Sequence, residues 1–271
     1  MLQVKFIESL DLPELEPYRT MQRPLDHRRQ NIFVAEGEKV VRRLLESRLP
    51  VVSLLLPEKW FHNLEPLLRS RPEEIKVYIA EKPQLEKLIG FSMYQGVMAV
   101  GKMPDPVSLE IVLQTCPHPY FFAAVDGLSS AENLGAVVRN CAAFGVQALL
   151  VGETSSSPYL RRAVRSSMGT VFQLPVVEVS SLAHALGDLR SRNFRVIAAH
   201  PHAEGKTLAH ADFSKDCCIV LGSEGSGIAP TVLEACTDAV AIPMTELVDS
   251  LNVGSAAAVF LYEARRQRGE M

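Results

Sequence analysis

The chain is short of several features that would settle a function at once. No apolar run approaches the roughly 18 residues a membrane-spanning helix needs, so no membrane partner is expected. The first residues, Met1-Leu2-Gln3-Val4-Lys5, do not place a basic stretch before a long apolar core; no secretory leader is expected, and the cytoplasm is the expected compartment. Five cysteines are an odd count with no C-x-x-C spacing, which argues against a disulfide framework or a zinc ribbon and for buried free thiols. His200, His202 and His210 have no Cys, Asp or Glu at a recognisable ligand spacing, so no metal is expected. There is no internal repeat or low-complexity tract. The dinucleotide fingerprint G-x-G-x-x-G and the phosphate-cradling G-K-S/T are both absent. So is a G-x-S-x-G elbow after a strand, which a serine hydrolase of that type would need.

Charge is also in short supply. The formal net charge is −3, which argues against a protein that coats nucleic acid without selection. Basic residues nevertheless cluster: Arg23, His27, Arg28 and Arg29; Arg161, Arg162 and Arg165; and Arg265, Arg266 and Arg268.

With 271 residues the chain has room for two domains and a well-buried core. The clearest break is Gly101-Lys102-Met103-Pro104-Asp105-Pro106, a connector rich in chain-breaking residues. Residues 1–106 and 107–271 are therefore expected as separate domains. In the first, strands are expected at 31–36, 51–56, 74–80 and 96–100, with a helix over 37–47. In the second, strands and helices alternate: strands at 120–126, 147–151, 195–199, 217–221 and 239–242; helices near 159–167, 181–191, 230–236 and 253–268. Such alternation predicts an α/β fold with a parallel sheet covered on both faces. Ligands in such sheets bind beyond the carboxyl ends of the strands.

Three segments carry the chemical signal. Asn133 to Gly145 places Leu134, Val137, Val138 and Cys141 at i, i+3, i+4 and i+7, an amphipathic helix with Asn133 suited to the N-cap and Gly145 to the residue past the C-terminus. Arg139 is the only charge from Asn133 to Gly145. Leu221-Gly222-Ser223-Glu224-Gly225-Ser226-Gly227-Ile228 ends an apolar strand in a glycine loop, where the backbone can come close to a ligand. Ile242-Pro243-Met244 and Ser250-Leu251-Asn252-Val253 bracket a polar stretch beside another strand end.

Together these segments resemble the SpoU/TrmH family of RNA 2′-O-ribose methyltransferases, within the SPOUT superfamily. Asn133, Gly135, Arg139, Phe144 and Gly145 meet the family's N-x-G-x-x-x-R-x-A-x-x-F-G motif, with Cys141 standing at the first Ala position. Leu221 to Ile228 match L-G-x-E-G-x-G-I in full, and 242–244 with 250–253 match I-P-M and S-L-N-V. Arg165-Ser166-Ser167-Met168-Gly169 is similar to the family's R-x-S-M-G segment. Phe33-Val34-Ala35-Glu36-Gly37, preceded by Arg28 and Arg29, resembles the small α/β substrate-binding domain, related to ribosomal RNA-binding proteins, that many members carry at the N-terminus.

The resemblance implies a C-terminal SPOUT fold closed by a trefoil knot, a homodimer built on that domain, S-adenosylmethionine as methyl donor without a metal, and RNA, with ribosomal RNA favoured, as substrate. It implies that Gly222, Ile242 and Leu251 hold the donor and that Arg139 is indispensable, with Asn133, Glu224, Ser250 and Asn252 orienting it and the ribose. It makes Arg28, Arg29 and Arg165 candidates for RNA contact. Arg139 is often described in the family as a general base; a guanidinium with a pKa above 12 argues instead for a clamp on phosphate or developing alkoxide, and the sequence leaves both open. The competing readings are a transfer RNA methyltransferase and a non-catalytic RNA-binding protein of the same fold. Retention of all five polar positions speaks against the second.

Overall fold

A computed structural model of the chain describes residues 2–93, 95–203 and 206–269. The chain divides into two compact units: Met1–Asp105 together with Tyr159–Gln173, and Pro106–Pro158 together with Leu174–Met271. Among the described residues no helix is long and apolar enough to cross a membrane.

The chain order begins β1 (Leu2–Phe6), α1 (Glu16–Arg19), α2 (Pro24–Arg29), β2 (Ile32–Glu36), α3 (Glu38–Glu46), β3 (Val51–Leu56), α4 (Glu58–Arg69), β4 (Ile75–Ile79), α5 (Lys82–Ile89) and β5 (Met98–Lys102). These strands form one sheet in the order β1-β4-β3-β5-β2, in which β5 runs antiparallel to β2 and β3 and the other pairs are parallel. All five residues of β2 are buried: four apolar residues, Ile32 to Ala35, and the Glu36 carboxylate at its end. Phe33 of β2 lies opposite Gly101 of β5. A Cβ at Gly101 would sit 2.5 Å from the Phe33 ring, so glycine here leaves the space that the aromatic ring fills.

The chain continues through α6 (Leu109–Thr115), β6 (Phe121–Val125), α7 (Ala131–Ala143), β7 (Ala148–Val151), α8 (Arg161–Ser166), β8 (Val176–Glu178), α9 (Leu182–Ser191), β9 (Arg195–Ala199), β10 (Cys217–Leu221), α10 (Pro230–Ala235), β11 (Asp238–Val240) and α11 (Val253–Gln267). The six strands from β6 onward make a second sheet, β11-β9-β10-β6-β7-β8, parallel throughout. This is the parallel α/β architecture expected from the alternation. β6 and β10 are buried along their whole length. Cys217 and Cys218, on opposite faces of β10, are both buried and free. Burial pushes the Cys141 thiol up to about 12.

Segment 159–173 is a finding that periodicity does not give. It folds with the first unit. Phe33 packs against Phe172, with ring centroids 5.2 Å apart, and against Tyr159 at 5.8 Å. The buried Glu36 carboxylate at the end of β2 accepts from Arg161 and, at 3.2 Å, from Arg165. Arg43 of α3 donates to the Met168 carbonyl at 2.7 Å.

The segment carries three arginines and no acid. Counted with it, the first unit has 19 Lys+Arg against 15 Asp+Glu, and the second has 9 against 16.

Candidate active site

The site lies in the second unit, beyond the carboxyl ends of β9, β10 and β11, where this class of sheet leaves room for ligands. Three segments build it. The first is the loop after β10. Ser223 and Gly227 exchange backbone hydrogen bonds of 3.0 and 3.1 Å, so residues 223–227 turn back on themselves. Gly222 sits at the pinch: a Cβ there would meet the Gly227 backbone, 2.5 Å from its carbonyl oxygen, and the Ile228 nitrogen at 2.5 Å. No side chain fits. Asp126, buried just past β6, accepts from the Ala229 amide at 2.7 Å and anchors the far end of the same loop.

The second segment is α7. The sequence suggested Asn133 as its N-cap. The structure moves the start three residues earlier: Ser130 is the cap, its hydroxyl accepting from the Asn133 amide at 3.3 Å. Asn133 thus sits in the first turn with its side chain free for other partners. Its amide nitrogen donates to the Glu224 carboxylate, and its amide oxygen accepts from Asn252 at 3.2 Å. At the other end the sequence reading holds, with Gly145 past the C-terminus at φ +78°, a conformation that favours glycine.

The third segment is 242–252, leading into α11. Asn252 is the N-cap, its oxygen accepting from the Gly254 amide at 2.9 Å. The result is a continuous chain of hydrogen bonds, Glu224–Asn133–Asn252–Gly254, that ties the glycine loop, the start of α7 and the start of α11 together.

A cleft of about 340 Å³ opens between the loops. Gly222, Glu224, Ile242, Ser250 and Leu251 all line it. Leu221, Ile228, Val240 and Phe260 supply apolar wall. Asn133 and Asn252 are not in the lining; they reach it through Glu224. Arg139 does not line the cleft either. It stands on the exposed face of α7 and has no hydrogen bond or ion pair among the described residues. Arg28 and Arg29 end α2 on the surface of the first unit. Arg165 is 60% exposed beyond its pairing with Glu36.

Sequence reasoning missed His200, His202 and Asp249, which line the cleft, and Asp126. An acid at a strand end followed by glycine, as in Asp126-Gly127, was the available signal for the last. Among the described residues the cleft wall contains the carboxylates of Glu224 and Asp249 and no Lys or Arg. Among the described residues no cluster of three His, Cys, Asp or Glu is placed to hold a metal ion.

The other basic groups have structural work. His27 is buried, its ring nitrogen against the Pro17 carbonyl at 3.0 Å. Arg268 donates to the carbonyls of Pro119, Tyr120 and Lys215 and lies over the Phe121 ring. Arg266 pairs with Glu263 at 2.7 Å.

Residues 120–262 match the sequence profile of the SpoU rRNA methylase family. The chain belongs to that family. It is an RNA methyltransferase by descent. An uncharacterised tRNA/rRNA methyltransferase of Mycobacterium tuberculosis is 31% identical over 273 residues, covering 98% of this chain and 93% of the relative. A 23S rRNA (guanosine-2′-O-)-methyltransferase of Acinetobacter baylyi is 33% identical, over 73% of this chain and 82% of its own. The crystal structure of the SpoU methyltransferase AviRb from Streptomyces viridochromogenes, in complex with AdoMet, superposes with a TM-score of 0.81 at 26% identity, covering 95% of this chain and 98% of that one.

Proposed function

We propose that this protein transfers the methyl group of S-adenosylmethionine to a ribose 2′-hydroxyl of structured RNA, with ribosomal RNA as the substrate. The observation that carries the proposal is the cleft walled by Gly222, Ile242 and Leu251 and tied through Glu224 to Asn133 and Asn252. Its chemistry suits the donor. Apolar walls and loop backbone match an adenosine, and the carboxylates of Glu224 and Asp249, with no lysine or arginine beside them among the described residues, match a group bearing sulfonium and ammonium charges.

When bound, the sulfonium supplies an electrophilic methyl group and leaves as a neutral thioether. The chain's own residues have the remaining tasks. Gly222, Ile242 and Leu251 hold the donor. Arg139, exposed and unpaired among the described residues, can grip a ribose-adjacent phosphate with both guanidinium edges and favour the oxygen as it develops charge. Ser250 lines the donor cleft and can accept or relay the hydroxyl proton. Holding hydroxyl and methyl in line supplies roughly 7–11 kcal/mol of the barrier reduction, and none of these roles calls for a metal.

Substrate choice belongs in this proposal to the first unit, whose positive balance suits RNA where the negative second unit does not. Arg28, Arg29 and the exposed edge of Arg165 are the proposed contacts. A homodimer through the second unit, a knotted path for the segment before α11 and a cytoplasmic location complete the reading. Transcribed 23S ribosomal RNA and a transfer RNA pool, each incubated with the protein and labelled donor, test it. Label in the ribosomal transcript, mapped to a 2′-O-methyl nucleotide, is the expected result. Label only in transfer RNA reverses the substrate, and label in neither RNA rejects the activity.

A further inference from the structure

The face of α7 that meets α11 carries more than the family's asparagine. Residues 133, 136 and 140 fall at i, i+3 and i+7 and share one face of the helix. Each touches the start of α11. Asn133 bonds Asn252. Ala136 approaches Gly254 so closely that a Cβ added there would be 3.1 Å from the Ala136 methyl. Asn140 donates from its side-chain nitrogen to the Gly254 carbonyl at 2.6 Å, in a half-buried setting.

Gly254 is therefore held three ways. Its amide is bonded by Asn252, its Cα lies against Ala136, and its carbonyl receives Asn140. Asn140 is next in sequence to Arg139, while Gly254 is two residues from Asn252 and four from Ser250. The Asn140–Gly254 bond is thus a short mechanical path between the exposed guanidinium and the 250–252 segment.

From this geometry we propose that Asn140 is a positioning residue: its bond to the Gly254 carbonyl locks α7 against the start of α11 and so fixes Arg139 relative to Ser250 and Asn252. The Asn133–Asn252 bond and the Ala136–Gly254 packing hold the first turns together but include only one directional hydrogen bond, between side chains. The Asn140–Gly254 bond, two turns along α7, adds a second hydrogen bond and fixes the register of the two helices. Gly254 is the complement of Asn140, since a larger residue would push the carbonyl away. Asn140 lies outside the donor cleft, so its loss acts on alignment and leaves donor binding alone. A displacement of about 1 Å between reacting groups costs on the order of 100-fold in rate, which makes a partial loosening visible.

The proposal rests on the methyltransferase reading above, and its test separates the two. Asn140→Leu keeps the bulk and deletes the donor; Asn140→Gln keeps an amide donor. The full-length proteins are assayed on transcribed 23S ribosomal RNA with S-adenosylmethionine, donor affinity is measured by calorimetry, and amide exchange is followed over residues 253–257. The expected result for Asn140→Leu is a kcat at least 10-fold lower, donor affinity within 2-fold of the parent, and at least 10-fold faster exchange in the first turn of α11. Asn140→Gln should recover part of both losses.

Unchanged exchange in Asn140→Leu overturns the clamp. Unchanged kcat, or a kcat that falls in step with donor affinity, overturns the positioning role. If the parent protein itself transfers no methyl group to any RNA offered, the methyltransferase reading fails, and the exchange measurement still decides whether Asn140 locks the helices.

Discussion

Glu36 and Arg161 are separated by 125 positions in the chain and joined by a buried ion pair at the end of β2. Arg161 is itself only 13% exposed, whereas the second partner of Glu36, Arg165, is 60% exposed. The two arginines should therefore differ in weight. Removing one partner of a buried pair costs about 3 kcal/mol where it strands the other charge, so Glu36→Gln should lose about that much in urea unfolding, and Arg161→Gln, which leaves Glu36 only the exposed Arg165, should lose most of it. Arg165→Gln should lose less than about 1 kcal/mol, as exposed pairs do. Equal losses for the two arginine variants would refute the assignment.

The same segment alters what a shortened chain should do. The Pro104-Asp105-Pro106 connector looks in sequence like the place to separate a self-sufficient catalytic half. Yet Ala163, Val164, Val171 and Phe172 are buried within the first unit. A chain starting at residue 107 keeps this segment and loses the sheet that covers it. It should be less soluble than the full chain and melt at least 5 °C lower, as differential scanning fluorimetry would show. An identical melting point would mean that segment 159–173 finds adequate cover without residues 1–105.

Gly222 and Gly225 make a matched pair of probes in one loop. A methyl group at Gly222 collides with backbone, which cannot swing aside, whereas one at Gly225 meets nothing within 4 Å. Gly222→Ala should reduce S-adenosylmethionine affinity by 100-fold or more in calorimetry. Gly225→Ala should leave it within 3-fold. The reverse order would show that the pinch at Gly222 does not shape the donor cleft.

Arg139 should separate activity from stability. Being exposed and unpaired among the described residues, it can be replaced at a cost within about 0.5 kcal/mol. Arg139→Ala should lose methyl transfer by at least 100-fold with an unchanged melting point and unchanged donor affinity. Near-normal rates in Arg139→Lys would rule out a bidentate grip, since lysine offers a point charge only.

His27 supplies a pH dependence. Burial pushes its pKa below the ordinary value, against the opposing pull of the Pro17 carbonyl, Glu16 and Asp26. The unfolded chain then takes up the proton first as pH falls. The stability His27 contributes is present above pH 6.5, the ordinary histidine value, and is lost as pH drops from there through the lower pKa of the folded form. Unfolding measured between pH 7.5 and 5 should show this loss, and His27→Gln should show a smaller one. An equal loss in both proteins would place the effect elsewhere.

Much of the site was legible because its residues sit in fixed short patterns. Gly222, Glu224, Ile242, Ser250 and Leu251 were named from sequence and share one cleft. Other parts were not legible, for physical reasons. Ser130 and Asn133 are both good helix caps, and only the Ser130 hydroxyl's bond to the Asn133 amide shows which one is used. Helix α4 contains Pro66, a residue that ordinarily signals a helix end. The apolar stripe of α8 states that it is buried and not against which core. Asn140 reads as an ordinary polar residue beside Arg139 until the Gly254 carbonyl is placed opposite it.

The path of the chain bears on how such a protein can evolve. Because residues 159–173 belong with the first unit, the polypeptide passes between the two units three times. A gene rearrangement with one breakpoint would inherit the β2 sheet without Phe172 and Glu36 without Arg161. A unit built in this way cannot be exchanged as a simple N-terminal cassette. Exchange requires that the internal segment be carried across as well, or that its contacts be rebuilt residue by residue. The unit is then altered more readily by substitution on its surface than by its replacement.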